Sequence, residues 1–250
     1  MDAFEDFSCA LTKLGFIPNQ HEFHFKHAAG TEIIFVPTIS EYPQRAQTSH
    51  PIIVHEDIWR SKKEAVLNRL MALTGHSKRM HGRQCIVKRI DNLTAQQFLN
   101  HYHTGGFVNS YFKYGLFGAD ELLAVGLFSK VRTFHKDTDS PYRSAELTRY
   151  ACKTGIRVTG GLDKLLNAFC NENKVFHLMT YADKEWTDGK SYFTLGFEKV
   201  GDTTPLLFRI HKISGERNVI HKNQSEFNED WVLKSNLGNI KLVRTKNPRN

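Results

Sequence analysis

Long apolar runs are missing from this chain. No stretch approaches the roughly 20 consecutive apolar residues that a helix needs to cross a bilayer, and the acidic start Met1-Asp-Ala-Phe-Glu-Asp lacks the basic-then-apolar order of a secretory signal. A cytoplasmic protein with no membrane partner is the expectation. Cysteine is scarce as well: Cys9, Cys85, Cys152 and Cys170 are scattered without a C-x-x-C pair, so neither a disulfide framework nor a zinc ribbon is indicated and no metal is expected. Acidic residues are absent from Ala65 to Ile90, where Arg69, Lys78, Arg79, Arg83, Lys88 and Arg89 lie. Hydrophobic residues are not lacking. At 40% of 250 residues, with 12% aromatic, they exclude a disordered tail and allow one large domain or two small ones. The net charge of +8 favours a polyanionic partner, nucleic acid or a phosphorylated ligand.

The middle of the chain carries the strongest local signal. Ala145 to Cys152 reads as a strand, Lys153-Thr-Gly155 as a turn, and Arg157-Val-Thr-Gly-Gly-Leu162 as a loop feeding a helix from Asp163 to Cys170. Leu162, Leu165, Leu166 and Phe169 fall at helical spacing. Gly160 and Gly161 let backbone approach a ligand, and the unpaired N–H groups at a helix start favour an anion there. A second strand, Val175 to Asp183, and a short helix, Asp188 to Phe197, follow.

These residues resemble the GNAT (GCN5-related N-acetyltransferase) superfamily. Its acyl-CoA loop reads Gln/Arg-x-x-Gly-x-Gly/Ala, which Arg157 to Leu162 matches at the first and fourth positions and departs from at the sixth. Its later Tyr-x-x-Leu-Gly-Phe is matched throughout by Tyr192 to Phe197. From about Phe98 to Lys241, with Glu146-Leu-Thr-Arg149, Tyr181-Ala-Asp183, Trp186, Gly201 and Gly238-Asn-Ile-Lys241 in order, the chain is similar to a phage-type GNAT domain of the Mom DNA-modification kind.

That resemblance implies an α/β (α+β) fold, a GNAT-like mixed central sheet flanked by helices. It also implies two parallel strands that splay around the loop, and acetyl-CoA or another acyl-CoA as cofactor. Arg157, Val158, Thr159, Gly160, Gly161 and Leu162 would hold its diphosphate. Tyr192 would protonate the departing thiolate, while Asp183 and Glu146 are the carboxylates placed to take the amine's proton. Arg149 is the remaining catalytic candidate. Lying three residues beyond Glu146 on a strand, it is expected on the opposite face and within reach of Asp183. His101 and His103 are weaker candidates.

Read in order, residues 2 to 14 form a helix bearing Phe4, Phe7, Leu11 and Leu14, and His21–His27 with Thr31–Pro37 form a hairpin. Histidines 21, 24 and 27 have helical ligand spacing, but a strand turns His24 and His27 to opposite faces. Ser61-Lys-Lys-Glu64 is a capping box for a helix ending at Gly75. The run from Thr31 to Leu70 is faintly similar to very-short-patch-repair-like, homing-endonuclease-like segments, with Ile34 where they carry an aspartate. Residues 1–75 therefore read as a small α/β accessory domain, degenerate in its nuclease features, and 76–92 as a basic linker or strand. Residues 93–245 read as the GNAT-like domain and 246–250 as a disordered tail.

Thr94-Ala-Gln-Gln97 looks like a second capping box, Tyr111–Phe117 and Leu122–Phe128 like paired strands, and Arg132–Arg143 like a loop at the substrate entrance. The acid-free run from Arg69 to Arg89 reads either as a phosphate-tracking segment or as a solvated basic face. A phage-type N-acyltransferase modifying a DNA base is the leading expectation. Extrusion of that base would let Phe107, Tyr111 and Phe112 stack on it. An acetyltransferase acting on a protein or small-molecule amine, and a non-catalytic DNA-binding module on the same scaffold, are the alternatives.

Overall fold

The first helix starts where Asp2 accepts the Glu5 N–H at 2.7 Å and Glu5 returns a bond to the Asp2 N–H, a reciprocal cap that satisfies two otherwise orphaned donors. It ends before Gly15, whose φ of 83° is open to glycine at little cost. The computed structural model describes residues 2–19, 21–40, 50–136, 139–220 and 228–245. Its elements, in chain order, begin with α1 (Ala3–Lys13), β1 (Phe16–Pro18), β2 (His24–His27), β3 (Glu32–Val36), β4 (Ile52–His55) and α2 (Glu56–Leu73). Next come β5 (Lys78–His81), a 3-10 turn (Gly82–Gln84), β6 (Cys85–Arg89), α3 (Asn92–Tyr102), β7 (Phe112–Gly118), β8 (Glu121–Phe128) and β9 (Arg132–Lys136). Then follow β10 (Asp139–Cys152), β11 (Ile156–Thr159), α4 (Gly161–Asn173), β12 (His177–Asp183), α5 (Lys190–Phe193) and β13 (Glu198–Asp202). The last are β14 (Leu207–His211), β15 (Arg217–Val219), β16 (Trp231–Ser235) and β17 (Asn239–Thr245).

By contact the chain forms two units. The first is Met1–Thr74, Ala182–Asp188 and Asp202–Ile240; the second is Gly75–Tyr181, Gly189–Gly201 and Lys241–Asn250. The linear reading places a boundary at 75 but assigns the two later segments of the first unit to the second domain.

In the first unit, β1-β2-β3-β4 form a sheet that is antiparallel up to β3 and parallel between β3 and β4. Phe7, Leu11, Phe25, Phe35, Trp59, Val66 and Leu70 pack on it, and Trp186 joins them from the distant segment. The helix predicted from Ser61 begins earlier, at Glu56. Lys62 breaks it with φ −137° and ψ 33°, and the Ser61 hydroxyl donates to the Asp57 carbonyl at 2.7 Å. The predicted cap is thus an internal kink. Ile34 is 1% exposed in an apolar cluster with Val36 and Ile53. Asp57, in the first turn of α2, is locked into a two-bond pair with Arg217, at 2.7 and 2.8 Å. β14 pairs with β15 and β16 in a small antiparallel sheet.

The second unit is built on a mixed sheet ordered β13-β17-β12-β10-β8-β7-β6, with β9 pairing β10. The fold is α+β, a mixed central sheet flanked by helices. Ala95, Phe98 and Leu99 of α3 cover one face with Val125, Leu127 and Ala151. Leu165, Leu166 and Phe169 of α4 are fully buried, and the Phe169 ring stacks on Phe128 with centroids 3.9 Å apart. Three differences from the sequence reading stand out. Asp91, not Thr94, caps α3, accepting the Thr94 N–H at 2.8 Å. The stretch from Arg132, expected as a loop, forms β9 paired to the start of β10. Ile156–Thr159, expected as loop, is strand β11, because β5 supplies a parallel partner. The expected tail 246–250 and the polar stretch 41–49 lie outside the described residues.

Candidate active site

β10 and β12 run parallel with the register Ser144↔His177 through Leu147↔Thr180. The paired register ends there, while β10 runs on to Cys152 and β12 to Asp183. At the same point β10 slips one residue against β8, between Leu147 and Arg149. Such a bulge takes Thr148 out of the ladder and restarts the alternation of faces. Glu146 and Arg149 therefore come to share a face instead of opposing each other. Burial raises the Glu146 carboxyl above the usual carboxylate range, and the Arg149 charge pulls it partly back. Burial likewise lowers Arg149, and Glu146 opposes that. The Arg149 guanidinium also donates to the carbonyls of Gly106 (3.1 Å) and Thr148 (2.8 Å). It thus clamps the loop after α3, where the His103 Nδ1 accepts the Gly105 N–H at 3.0 Å.

Beyond the bulge Ala151 faces α3, so Tyr150 and Cys152 face the other way. The Tyr150 hydroxyl lies 3.2 Å from the Cys152 sulfur. Burial pushes the Tyr150 phenol well up, with Cys152 and then Tyr192 adding to it, so Tyr192 stands close to this pair. Tyr192 is half-buried, its ring edge-on to Phe197 at 5.7 Å. Burial also raises the Cys152 thiol, against the lowering influence of Tyr150, the Val158 N–H and Arg157. The cysteine is held as a neutral thiol rather than activated as a nucleophile.

The glycine turn adjoins this cluster. Gly160 is the N-cap of α4 with φ 72°, and a Cβ there would meet nothing within 4 Å. Gly161 is tightly enclosed, its hypothetical Cβ 2.9 Å from Leu116 and Val158. Gly82 presses on the same peptide, where a Cβ would come within 3.0 Å of the Gly160 carbonyl carbon and the Gly161 nitrogen. Lys164 ties the two segments together, donating to the carbonyls of Gly82 (3.1 Å) and Cys85. Val158 and Thr159 lie in the β11 ladder, and the Val158 N–H is turned to the Cys152 sulfur. The donors with no partner inside the helix are instead those of Gly161, Leu162 and Asp163. An open Gly160 beside three such donors fits a diphosphate. Arg244, which sequence reasoning missed, donates to Asp163 and Asn167 at 3.1 Å each, neutralising the one acidic group in the first turn of α4.

Other expected residues fall elsewhere. Asp183 belongs to the first unit, where burial and then Glu185 raise its carboxyl, while Arg69 and His55 oppose them and its Oδ1 accepts the Glu185 N–H at 2.9 Å. An Arg149–Asp183 pair is not among the bonds of either residue described above. The cations of the basic run meet different surroundings. Arg69 sits 4.4 Å over the Trp186 ring, and Lys88 lies 5.3 Å from the Phe117 ring. Arg89 pairs with Glu172 at 2.8 Å over Phe112 and Tyr114. Lys78, Arg79 and Arg83 are exposed on β5 and the turn after it. Of the aromatic candidates, Tyr111 is 65% exposed, whereas Phe112 packs edge-on to Phe169 at 5.4 Å. Phe107 lies partly buried against the α3 cluster. His21 and His24 have ring centroids 5.5 Å apart, and no cluster of three metal-ligating side chains occurs among the described residues. A cavity of about 270 Å³ bordered by Asp6, Cys9, Lys13, Leu14, Lys63 and Met71 belongs to the first unit and contains none of the residues of the turn.

No family model matches the sequence, and no curated protein matches it. Solved structures of similar fold include acetyltransferases. Histone acetyltransferase HPA2 and related acetyltransferase from Corynebacterium glutamicum aligns at 13% identity with a TM-score of 0.34, over 55% of this chain and 66% of that one. A GNAT family acetyltransferase from Elizabethkingia anophelis, solved with acetyl-CoA bound, aligns at 11% identity and TM-score 0.36, over 65% and 99%. The Bacillus subtilis acetyltransferase in complex with CoA aligns at 15% identity and TM-score 0.35, over 65% and 98%. A probable N-acyltransferase from Enterococcus faecalis is covered over only 35% of its length.

Proposed function

We propose that this chain is an acyl-CoA-dependent N-acyltransferase whose acceptor is an amine on nucleic acid, with a DNA base favoured. The observations that carry the reading are the parallel pair β10–β12, whose register ends at Leu147↔Thr180, and the open, positive-φ Gly160 at the head of α4, the helix that connects those two strands. Gly161, Leu162 and Asp163 would bind the diphosphate through their N–H groups, with Arg157 adding charge. Bound there, an acyl-CoA, most simply acetyl-CoA, supplies an electrophilic carbonyl and a thiolate leaving group. Glu146 takes the proton released by the amine nitrogen as the new C–N bond forms. Its buried position suits this role, because a carboxylate with a raised pKa is a stronger base at neutral pH. Tyr192, which would reach the gap between β10 and β12 from the face opposite Glu146, gives its proton to the departing sulfur and regains one from solvent, so one proton enters and one leaves per turnover. Arg149 holds the loop after α3 and tunes Glu146 rather than touching the reacting atoms.

The net charge of +8 supports a polyanionic acceptor over a neutral amine. The tests separate chemistry from acceptor. Titration calorimetry with acetyl-CoA should give saturable binding, and its absence overturns the transferase. Mass spectrometry of nucleosides from cells expressing the protein should show an acylated base. Unchanged nucleosides together with newly acylated proteins would move the acceptor to a protein amine. Tyr192→Phe should lower turnover without weakening acetyl-CoA binding.

A further inference from the structure

Two arginines occupy paired strand positions with no counter-charge among the described residues. β5 and β11 form a parallel two-stranded ribbon in which Arg79 pairs with Arg157 and His81 with Thr159. All four are exposed, while Val158 is buried and the Met80 methyl lies 3.0 Å from where a Gly118 Cβ would stand, so the four line the outward face. Like charges directly across a ladder destabilise it. Three other cations of this unit are paired with carboxylates: Arg89 with Glu172, Lys153 with Glu121 and Arg244 with Asp163. Among the described residues no carboxylate answers Arg79 or Arg157. The ribbon is also rigidly referenced to the glycine turn. β11 runs straight into Gly160, and β5 runs into Gly82, which touches the Gly160–Gly161 peptide and is tied to α4 through Lys164. Three residues of strand separate Arg157 from Gly160, about 10 Å at ~3.3 Å per residue.

We propose that this ribbon is a second anion site, in which Arg79 and Arg157 together bind the ribose 3′-phosphate of the same coenzyme A whose diphosphate sits at Gly160–Gly161. The inference rests on the acyl-CoA reading and adds to it a ligand discrimination: the chain selects the 3′-phosphorylated coenzyme over its dephosphorylated form. A terminal phosphomonoester is doubly charged near neutral pH and presents three acceptor oxygens, which suits two exposed guanidinium groups borne on paired strand positions. An approaching dianion turns the Arg79–Arg157 repulsion into attraction. The same side chains therefore lower stability without ligand and add affinity with it.

The test is calorimetric titration of the full chain, wild type and Arg79→Ala, with coenzyme A and with 3′-dephospho-coenzyme A. The wild type should bind coenzyme A roughly tenfold or more tightly than the dephosphorylated form, the scale of one charge-assisted contact. Arg79→Ala should leave the dephospho-coenzyme affinity unchanged and bring coenzyme A down to it. The ligand-free melting temperature of the variant should be equal or higher, since a repulsion has been removed, whereas a structural role for Arg79 would lower it. Equal wild-type affinities for the two ligands, or equal weakening of both by Arg79→Ala, overturns the second site and leaves the diphosphate site standing. No binding of either ligand overturns the acyl-CoA reading instead. If Arg79→Ala leaves both coenzyme affinities intact but weakens binding to duplex DNA, the ribbon is a nucleic-acid surface and the inference is wrong.

Discussion

A methyl group added at Gly160 separates the fold from the ligand site. The Cβ of Gly160→Ala would point into space with no protein atom within 4 Å, but at a φ of 72° that side chains disfavour. The left-handed conformation costs about 1–2 kcal/mol, part of which is offset because alanine restricts the unfolded chain by roughly 0.4–1 kcal/mol. A net loss near 1 kcal/mol corresponds to a melting shift of about 2–4 °C in a chain of this size. The neighbouring Gly161→Ala differs. Its Cβ would lie 2.9 Å from Leu116 and Val158, an overpacking of about 1–3 kcal/mol, against which a helix gains ~1 kcal/mol from alanine over glycine. The two variants thus bracket each other in stability, whereas only Gly160→Ala fills the approach to the three free N–H groups. Loss of even one charge-assisted hydrogen bond there lowers coenzyme affinity roughly tenfold or more. Thermal melting and calorimetry on both variants provide the assay. Full coenzyme affinity in Gly160→Ala, with the expected small melting shift, refutes the assignment of that turn to the diphosphate.

Three further outcomes follow from the geometry. Arg217→Ala leaves the Asp57 carboxylate, 2% exposed, without its two-bond partner, and should destabilise the first unit by about 3–5 kcal/mol in urea denaturation. A loss under ~1 kcal/mol would mean that water reaches Asp57 freely. Phe169→Ala removes a fully buried ring stacked on Phe128 and should lower the stability of the second unit by about 3–5 kcal/mol, read from the same denaturation curves by tryptophan-independent circular dichroism. For Glu146 the raised carboxyl fixes two signs. Its contribution to stability is present below the ordinary glutamate pKa and is lost as pH rises through the elevated folded value. kcat/KM rises through that same elevated value as the base form appears, and Glu146→Gln should abolish that rising limb.

The parts of the fold legible in the sequence are those fixed by local chemistry. Phe7 and Leu11 at helical spacing with Gly15 beyond them mark α1, and Gly118 to Glu121 mark the turn between β7 and β8. The apolar face of α4 also stands out because a helix buries every third or fourth residue. What escaped depends on partners far along the chain. Arg157-Val-Thr reads as loop until Arg79–His81 lie alongside it. Glu146 and Arg149 read as opposed because alternation assumes an unbroken ladder, and a bulge carries no sequence mark of its own. Arg244 is silent for the same reason. Its role comes from β17 lying near the first turn of α4, and nothing in its own neighbourhood points to Asp163.

The basic run shows how unlike surroundings can meet cations that lie close together in sequence. From Arg69 to Arg89 no acidic residue interrupts the cations, yet folding gives them separate fates according to what each meets. An aromatic face takes Arg69, a carboxylate and two rings take Arg89, and a ring edges Lys88. Each of these contacts lowers the free energy of a cation that would otherwise only repel its neighbours. Arg79 receives no such contact and is set against Arg157, the least favourable arrangement available to it. Folding tolerates that repulsion because the ribbon's inner face is anchored by Val158, Met80 and the Gly82 contact. That packing fixes the backbone from which both arginines project, so an anion bound by the pair would have only the two side chains left to order.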